Sequence, residues 1–507
     1  MSNIARIEHR ILREAQRLIV RHERHGQRLA DEYRRRSRRT LSRVPKPRLN
    51  RPHHWSLDDG FDPYLSRARV ERVAHAIDRA LAARRYVPRH PYAFQVPKRD
   101  GEMRDVCIYQ VADSAVSRLM FEDVLRKNLP LLSARSYAYR KDLSGQNAVQ
   151  YIASEFGGRS RLYIAEYDFS TYFDSISHEH IKRVLEQHFL LTENERRTIG
   201  AFLGVGYQLG AYTPVNGPPR SVGIPQGTSI SLFLANVAAW ELDRALEGVG
   251  VGFARYADDT LIWSKDYGRI CEAVEILHSH AQQIGSGVNL DKSDGISLLV
   301  PPGTKHTELP SKTHVDYLGH RISTRGMGLR ETTVERFRQH VAQMIFNNLL
   351  REPLAGKQDT RRLTSVDRDY ATLIWGLRRY VYGDLSERAV RRFSNQGAPL
   401  RRYTGFMSAY PQIDDRDGLR ELDSWVLDRL FLALRKRGRL LGSQPSPLPP
   451  PHGVARDKLR RLTHRSGTTG QFVDLTVPSL HLISSVIADA ASRYGPAAIG
   501  RPDLKDY

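Results

Sequence analysis

The run Arg255-Tyr256-Ala257-Asp258-Asp259-Thr260 puts two adjacent carboxylates between two short apolar arms, 253–256 and 261–263. Apolar, β-prone residues on both sides predict a hairpin with the acids at its tip. An ordinary turn is the competing reading, since Asp is common in turns. A third acid, Asp168, ends the apolar run 162–167, which reads as a strand. If the three carboxylates converge on one sheet edge, like charges oppose each other until a cation arrives. Carboxylate oxygens are the ligands that hard divalent cations take. Two such ions can assist a hydroxyl's attack on an α-phosphate by activating the attacking oxygen and neutralising the leaving one.

The totals agree with a polyanionic partner. The 507 residues carry a formal charge of +22 and a pI near 10, and each phosphate met by Lys or Arg releases condensed counterions. Positions 1–50 hold fourteen Arg and one Lys against five acids, with Arg34, Arg35, Arg36, Arg38 and Arg39 as the densest run. That stretch reads as a backbone-binding arm or as the solvated face of a helix, because Ile4, Ile7, Ile11, Leu18 and Ile19 fit an amphipathic repeat. Cys107 and Cys271 are the only cysteines, which excludes a disulfide framework and a Cys-rich zinc or iron–sulfur site. The sequence has neither a secretory leader pattern nor a run of about 18 apolar residues, so a cytoplasmic chain with no membrane span is expected.

Along the chain, 50–63 reads as irregular linker, 68–85 as helix and 86–96 as extended. Asp100-Gly101 forms the turn of a charged hairpin over 97–104. Helices are expected at 111–127 and from about 147. Ser177 caps another helix running through 189, followed by a polar connection to 221. Thr228 or Ser229 starts a long helix to about 246, and 267–284 is a further helix. This rhythm of strand, helix, strand, strand, helix suits a split βαβ layer. Beyond 315 the expectation is helical, at 332–350, 364–382 and 416–439, with no comparable strand signal.

Taken in order, Tyr167-Asp168-Phe169-Ser170-Thr171-Tyr172-Phe173-Asp174-Ser175-Ile176, Gly223-Ile224-Pro225-Gln226-Gly227-Thr228-Ser229 and Tyr256-Ala257-Asp258-Asp259 resemble the palm motifs of bacterial reverse transcriptases. That group includes the group II intron, retron and phage-defence enzymes. Gly287-Val288-Asn289-Leu290-Asp291-Lys292-Ser293 and Tyr317-Leu318-Gly319-His320 resemble the two following motifs. The segment from Pro97-Lys98 to Arg104 and the patch around Tyr137 match the fingers pattern.

The resemblance implies an α+β right-hand polymerase: a basic extension (1–67), fingers (68–160), a palm built on a split βαβ sheet (161–325), a helical thumb (326–442) and a Pro-rich linker with a C-terminal segment (443–507). It implies Asp168, Asp258 and Asp259 as catalytic carboxylates, which with the Phe169 carbonyl ligate two Mg2+ ions. Lys98 and Arg104 would hold a deoxynucleoside triphosphate, charge to charge. Phe173 would exclude a 2′-hydroxyl, Gln226 would lie beside the nascent pair and Lys292 near the triphosphate. Each has a bland alternative: hairpin charges, a core phenylalanine, a helix-entry turn and a surface lysine.

The function implied is RNA-directed DNA synthesis, with an RNA template or structured non-coding RNA, a primer and a cDNA product as partners. Homo-oligomers or partner proteins are compatible with it, and antiviral defence is the expected setting. The C-terminal part lacks the paired cysteines and histidines of a zinc-bearing nuclease domain. An RNA polymerase and a non-catalytic RNA-binding protein remain the rival readings.

Overall fold

The computed structural model describes residues 2–495 apart from 98–102, 214–218, 290–292, 294, 306, 398–402, 443–447 and 466–471, together with residue 499. Lys98 and Lys292 therefore lie outside the described residues. Ser2 accepts a hydrogen bond from the Ala5 amide and starts the helix Asn3–Ser37, about 50 Å long at ~1.5 Å per residue. Ile7, Ile11, Ala15 and Ile19 recur at helical spacing and are buried, packing this helix on Val70–Ala82 and Val111–Asn128. Its far end docks elsewhere, where the Leu41 amide donates to the Lys357 carbonyl (2.8 Å) and the Asp359 amide to the Arg39 carbonyl (2.8 Å). The stretch 50–63 is not a free linker, because it makes two tight turns, His53–Ser56 and Asp59–Phe61, that bury Trp55 and Phe61.

Strands β1 (Tyr92–Pro97) and β2 (Met103–Ile108) form the expected hairpin, with Val96 opposite Arg104. The central sheet contains β3 (Leu162–Tyr167), β4 (Gly252–Tyr256), β5 (Asp259–Ser264), β6 (Ile296–Leu299) and β7 (Ser311–Lys312), in the order β4-β5-β3-β6-β7. All neighbours are antiparallel except β6 and β7. Side chains alternate across the sheet, so each face has its own apolar partner. Leu162, Ile164, Leu261 and Trp263 pack with Ala148, Val149 and Ile152 of the helix Gly145–Phe156. Ala165, Tyr167, Phe253 and Ile262 join the large cluster formed with Leu234, Ile270, Leu277 and Ala281. Burying both faces at roughly 1.5–3 kcal/mol per large side chain makes this sheet a stiff platform.

Three local expectations are corrected. The polar connection before 221 contains a helix, Glu193–Gly204, entered through a capping box between Thr192 and Glu195. The long helix expected from 228 breaks at Ala239 into Ser229–Ala238 and Trp240–Val249. Beyond 315 the chain is not helical at once, because β8 (His314–Tyr317), β9 (His320–Ser323) and β10 (Met327–Leu329) make an antiparallel meander. Strands of three or four residues are too short for alternation to show in sequence.

A second large apolar cluster gathers the helices Glu331–Ile345, Arg368–Tyr382, Arg416–Leu440 and Leu480–Tyr494. A short hairpin, β11 (Thr463–Arg465) with β12 (Phe472–Asp474), precedes the last of these. The fold class is α+β. Among the described residues no helix is long and apolar enough to cross a membrane.

Candidate active site

Strand register brings the predicted acids to one sheet edge. β5 pairs with β4 through Tyr256 and Asp259, leaving Ala257 and Asp258 as the two-residue tip. Ala257 takes a left-handed φ of 61°, which costs a non-glycine residue energy and marks a turn held by its surroundings. β5 pairs with β3 up to Thr260 opposite Tyr167, so one further step of the same register sets Asp168 across from Asp259.

The electrostatics agree. The Asp259 carboxyl is pushed up to about 7, first by desolvation and then by Asp258, Asp168 and Glu166, with Arg330 opposing. The Asp259 residue is nonetheless exposed at the tip. Lys312 pairs with Glu166 and offsets part of the negative charge.

The segment after Asp168 is stitched on both sides. Ser170 N donates to Gly287 O (2.8 Å) and Asn289 N to Asp168 O (2.9 Å). These bonds flank the Phe169–Val288 bridge, so the Phe169 carbonyl faces away from 287–289. On the other side Gly223 N donates to Ile176 O (2.8 Å) and Ile224 N to Phe173 O (2.5 Å), zipping the 221–227 loop onto this segment. Gln226 then reaches Asp174, Nε2 to Oδ1, at 3.4 Å. The half-buried Phe173 packs edge-on against Tyr172 at 5.8 Å between ring centroids.

The β1–β2 hairpin meets the same loop. Cys107 N donates to Gln226 O (2.8 Å), and Gly227 sits so close that a Cβ there would fall 1.9 Å from the Cys107 carbonyl oxygen. Gly227 also has φ 134°, so glycine is required on both counts. Arg104, three residues before Cys107 on β2, is exposed. Burial pushes the Cys107 thiol up to about 12, so it is inert packing.

Sequence reasoning missed the groups that hold the tip. Arg255 is fully buried and donates to both Asp243 oxygens (2.7 and 2.6 Å), to the Ala257 carbonyl (2.9 Å) and to Ser136 Oγ (2.8 Å). Burial alone would lower its pKa, but Asp243 outweighs that and keeps the guanidinium charged. Tyr317, also buried, donates to the carbonyls of Ala254 (3.2 Å) and Asp259 (3.4 Å) from below the hairpin. An arginine beside an acidic pair reads as a surface charge, and only its partner Asp243, on the helix Trp240–Val249 that leads into β4, identifies it as buried.

A model of the family described as reverse transcriptase (RNA-dependent DNA polymerase) matches residues 96–322, the segment that contains Arg104, Asp168, Phe173, Gln226, Arg255, Asp258 and Asp259. This segment, less than half of the chain, is similar to the reverse-transcriptase-like superfamily. It is 28% identical over 159 residues to the putative COX1/OXI3 intron 1 protein of Saccharomyces cerevisiae, covering 30% of this chain and 18% of that protein. It is 24% identical over 198 residues to protein YkfC of Escherichia coli K12, covering 37% of this chain and 49% of that one. The chain thus spans less than half the length of either relative. Among solved structures it aligns with telomerase from Candida albicans in complex with a TWJ fragment of telomeric RNA, at TM-score 0.36 and 13% identity over 76% of this chain and 67% of that one. Apo telomerase from Candida tropicalis aligns at TM-score 0.36 and 12% identity, over 48% and 55% of the two chains.

Among the described residues no group of three or more His, Cys, Asp or Glu side chains is placed to hold a metal ion, so Asp168, Asp258 and Asp259 are not gathered into a ligand cluster. The donor chemistry of the reverse-transcriptase-like edge nevertheless fits a hard cation: three carboxylates and a main-chain carbonyl, all oxygen, with no thiol or imidazole among them.

Proposed function

We propose that this chain is an RNA-directed DNA polymerase. The observation that carries the reading is the strand register that puts Asp168 across from Asp259 and beside the Asp258 tip, inside the family-matched segment. Asp168, Asp258, Asp259 and the Phe169 carbonyl would hold Mg2+. When bound, that metal supplies charge neutralisation for attack of a primer hydroxyl on an α-phosphate and for departure of pyrophosphate.

The residues of the chain do the positioning. Arg104 projects from the β1–β2 hairpin, where its rigid donor fork suits a triphosphate, with Lys98 and Lys292 as further cations. Phe173 and Gln226 arrive together because the 221–227 loop is zipped to 173–176, which supports a sugar contact from the ring and a contact beside the nascent pair from the amide. The buried guanidinium of Arg255 fixes the tip carbonyl, so Asp258 is presented without spending binding energy on ordering it.

The test is primer extension on an RNA template by wild type and Asp258→Ala. Extension falls by at least about a hundredfold in the variant while RNA affinity stays unchanged. Equal extension by both proteins overturns the assignment. One observation favours a second reading, a fold that binds RNA without extending a primer: among the described residues the carboxylates are not gathered into a ligand cluster. In that case wild type binds RNA and incorporates no nucleotide.

A further inference from the structure

The helix Asn3–Ser37 has a use that its packing does not explain. Beyond Ile19 the helix projects Arg21, Arg24, Arg28 and Arg35, and Arg38 follows just past its end; all five are exposed. At 3.6 residues per turn these positions fall within an arc of about 100°, in a row about 25 Å long. The one carboxylate on that arc, Asp31, is engaged by Arg34. Among the described residues none of the five makes an ion pair, whereas their neighbours Arg36 and Arg39 turn inward to Glu352 (3.6 Å) and Asp369 (3.8 Å).

The chain then folds back on the other side of the helix, since His22 and Gly26 lie about 150° and 170° round from the middle of that arc. A Cβ on Gly26 would lie 2.6 Å from Leu49 Cδ2, and the His22 ring sits 5.1 Å from Trp55. This return stretch exposes Arg43, Lys46 and Arg48, while Arg51 pairs with Asp62 (3.3 Å), and no acid occurs between Glu32 and Asp58. The result is one straight basic row on a rigid support. Both ends of the helix are anchored, by Arg6 on Asp123 (2.6 Å) and by the Arg39–Asp359 bond.

We propose that this row docks a double-helical segment of RNA through its phosphates. A straight rigid row of charges matches a rigid polyanion. Single strands are held by aromatic platforms on which bases stack, and the only Phe, Tyr or Trp between 21 and 51 is Tyr33, which the helical repeat sets off the arc. No group on the row is placed to read a base edge, so binding is independent of sequence and strongly salt-dependent. The choice of RNA over DNA rests on the proposed function; the docking itself does not.

The test uses the full chain and a labelled RNA duplex of about 20 base pairs, with affinity measured by fluorescence anisotropy between about 50 and 200 mM salt. The variant R21E/R24E/R28E/R35E binds at least about tenfold more weakly, and its log–log salt slope is shallower by about 3. The corresponding four-lysine variant keeps the wild-type slope, and circular dichroism shows that both variants retain wild-type helicity. Extension of a short primer–template is unchanged in the glutamate variant, so loss of docking and loss of polymerase activity are separable. Unchanged affinity and slope in the glutamate variant overturn the proposal. So does wild-type preference for a single strand, or for a DNA duplex of the same sequence.

Discussion

Arg255 and Asp243 form a two-pronged ion pair sealed from solvent beneath the acidic hairpin tip, with contacts of 2.7 and 2.6 Å. Breaking one side of such a pair leaves an uncompensated buried charge. Asp243→Ala is therefore expected to cost about 3–5 kcal/mol, read as a shift in the urea unfolding midpoint. Because the same guanidinium also holds the Ala257 carbonyl, the variant that remains folded at low temperature loses primer extension as well. A variant with full stability would show that the pair is not the clamp described.

Gly227 joins two elements that the candidate site needs. Gly227→Ala places a methyl against the Cys107 carbonyl at a backbone angle side chains rarely adopt, so the loop must move away from β2. Nucleotide incorporation is expected to fall by about a hundredfold or more, since ångström-scale misplacement of positioning groups carries that cost. The stability loss should be only about 1–3 kcal/mol. Steady-state incorporation and thermal unfolding, measured on the same preparation, check the two halves separately.

Phe173 is the residue proposed to select the sugar. Its ring is only half buried, and Phe173→Ala removes the bulk proposed to exclude a 2′-hydroxyl while leaving the backbone bond to Ile224 in place. Competition between a ribonucleotide and the matching deoxynucleotide should shift by at least about tenfold towards the ribonucleotide, with deoxynucleotide use changed less. An unchanged ratio would assign the ring to packing alone.

What could be read from sequence was local. Asp258 and Asp259 stand between two apolar arms, and Asp168 ends a run whose β-propensity is plain, so strands and acids follow from neighbouring residues. The Glu193–Gly204 helix was legible too, through Thr192, Glu195 and the spacing of Ile199, Phe202 and Leu203, but the charged residues between them suggested a loop. Other features are tertiary. Nothing near Arg255 indicates burial, because its partner Asp243 belongs to a separate helix, and nothing near Ala239 marks the break, since neither Gly nor Pro is present. Trp55 and Phe61 sit in a stretch whose composition suggests a linker, and they are buried because distant elements cover them, His22 of the first helix beside Trp55 and Tyr212 beside Phe61.

Acid sensitivity should reside in a buried histidine pair behind the sheet. His280 is held down to about 3, by burial first and then by His180, whose ring centroid lies 5.7 Å away. Glu241 pulls the other way, while Arg255 adds to the depression. An unfolded histidine takes up its proton near 6.5, so between that pH and about 3 the unfolded chain binds more protons than the folded one. Stability from this site is thus complete above the unfolded pKa and is lost as pH falls towards the folded one. From about pH 7 to about pH 4 the loss is at most roughly 3 kcal/mol. His280→Leu removes the titrating group, so its unfolding free energy, measured by urea denaturation across that range, should fall less steeply than that of wild type. Parallel curves for the two proteins would place the acid sensitivity elsewhere.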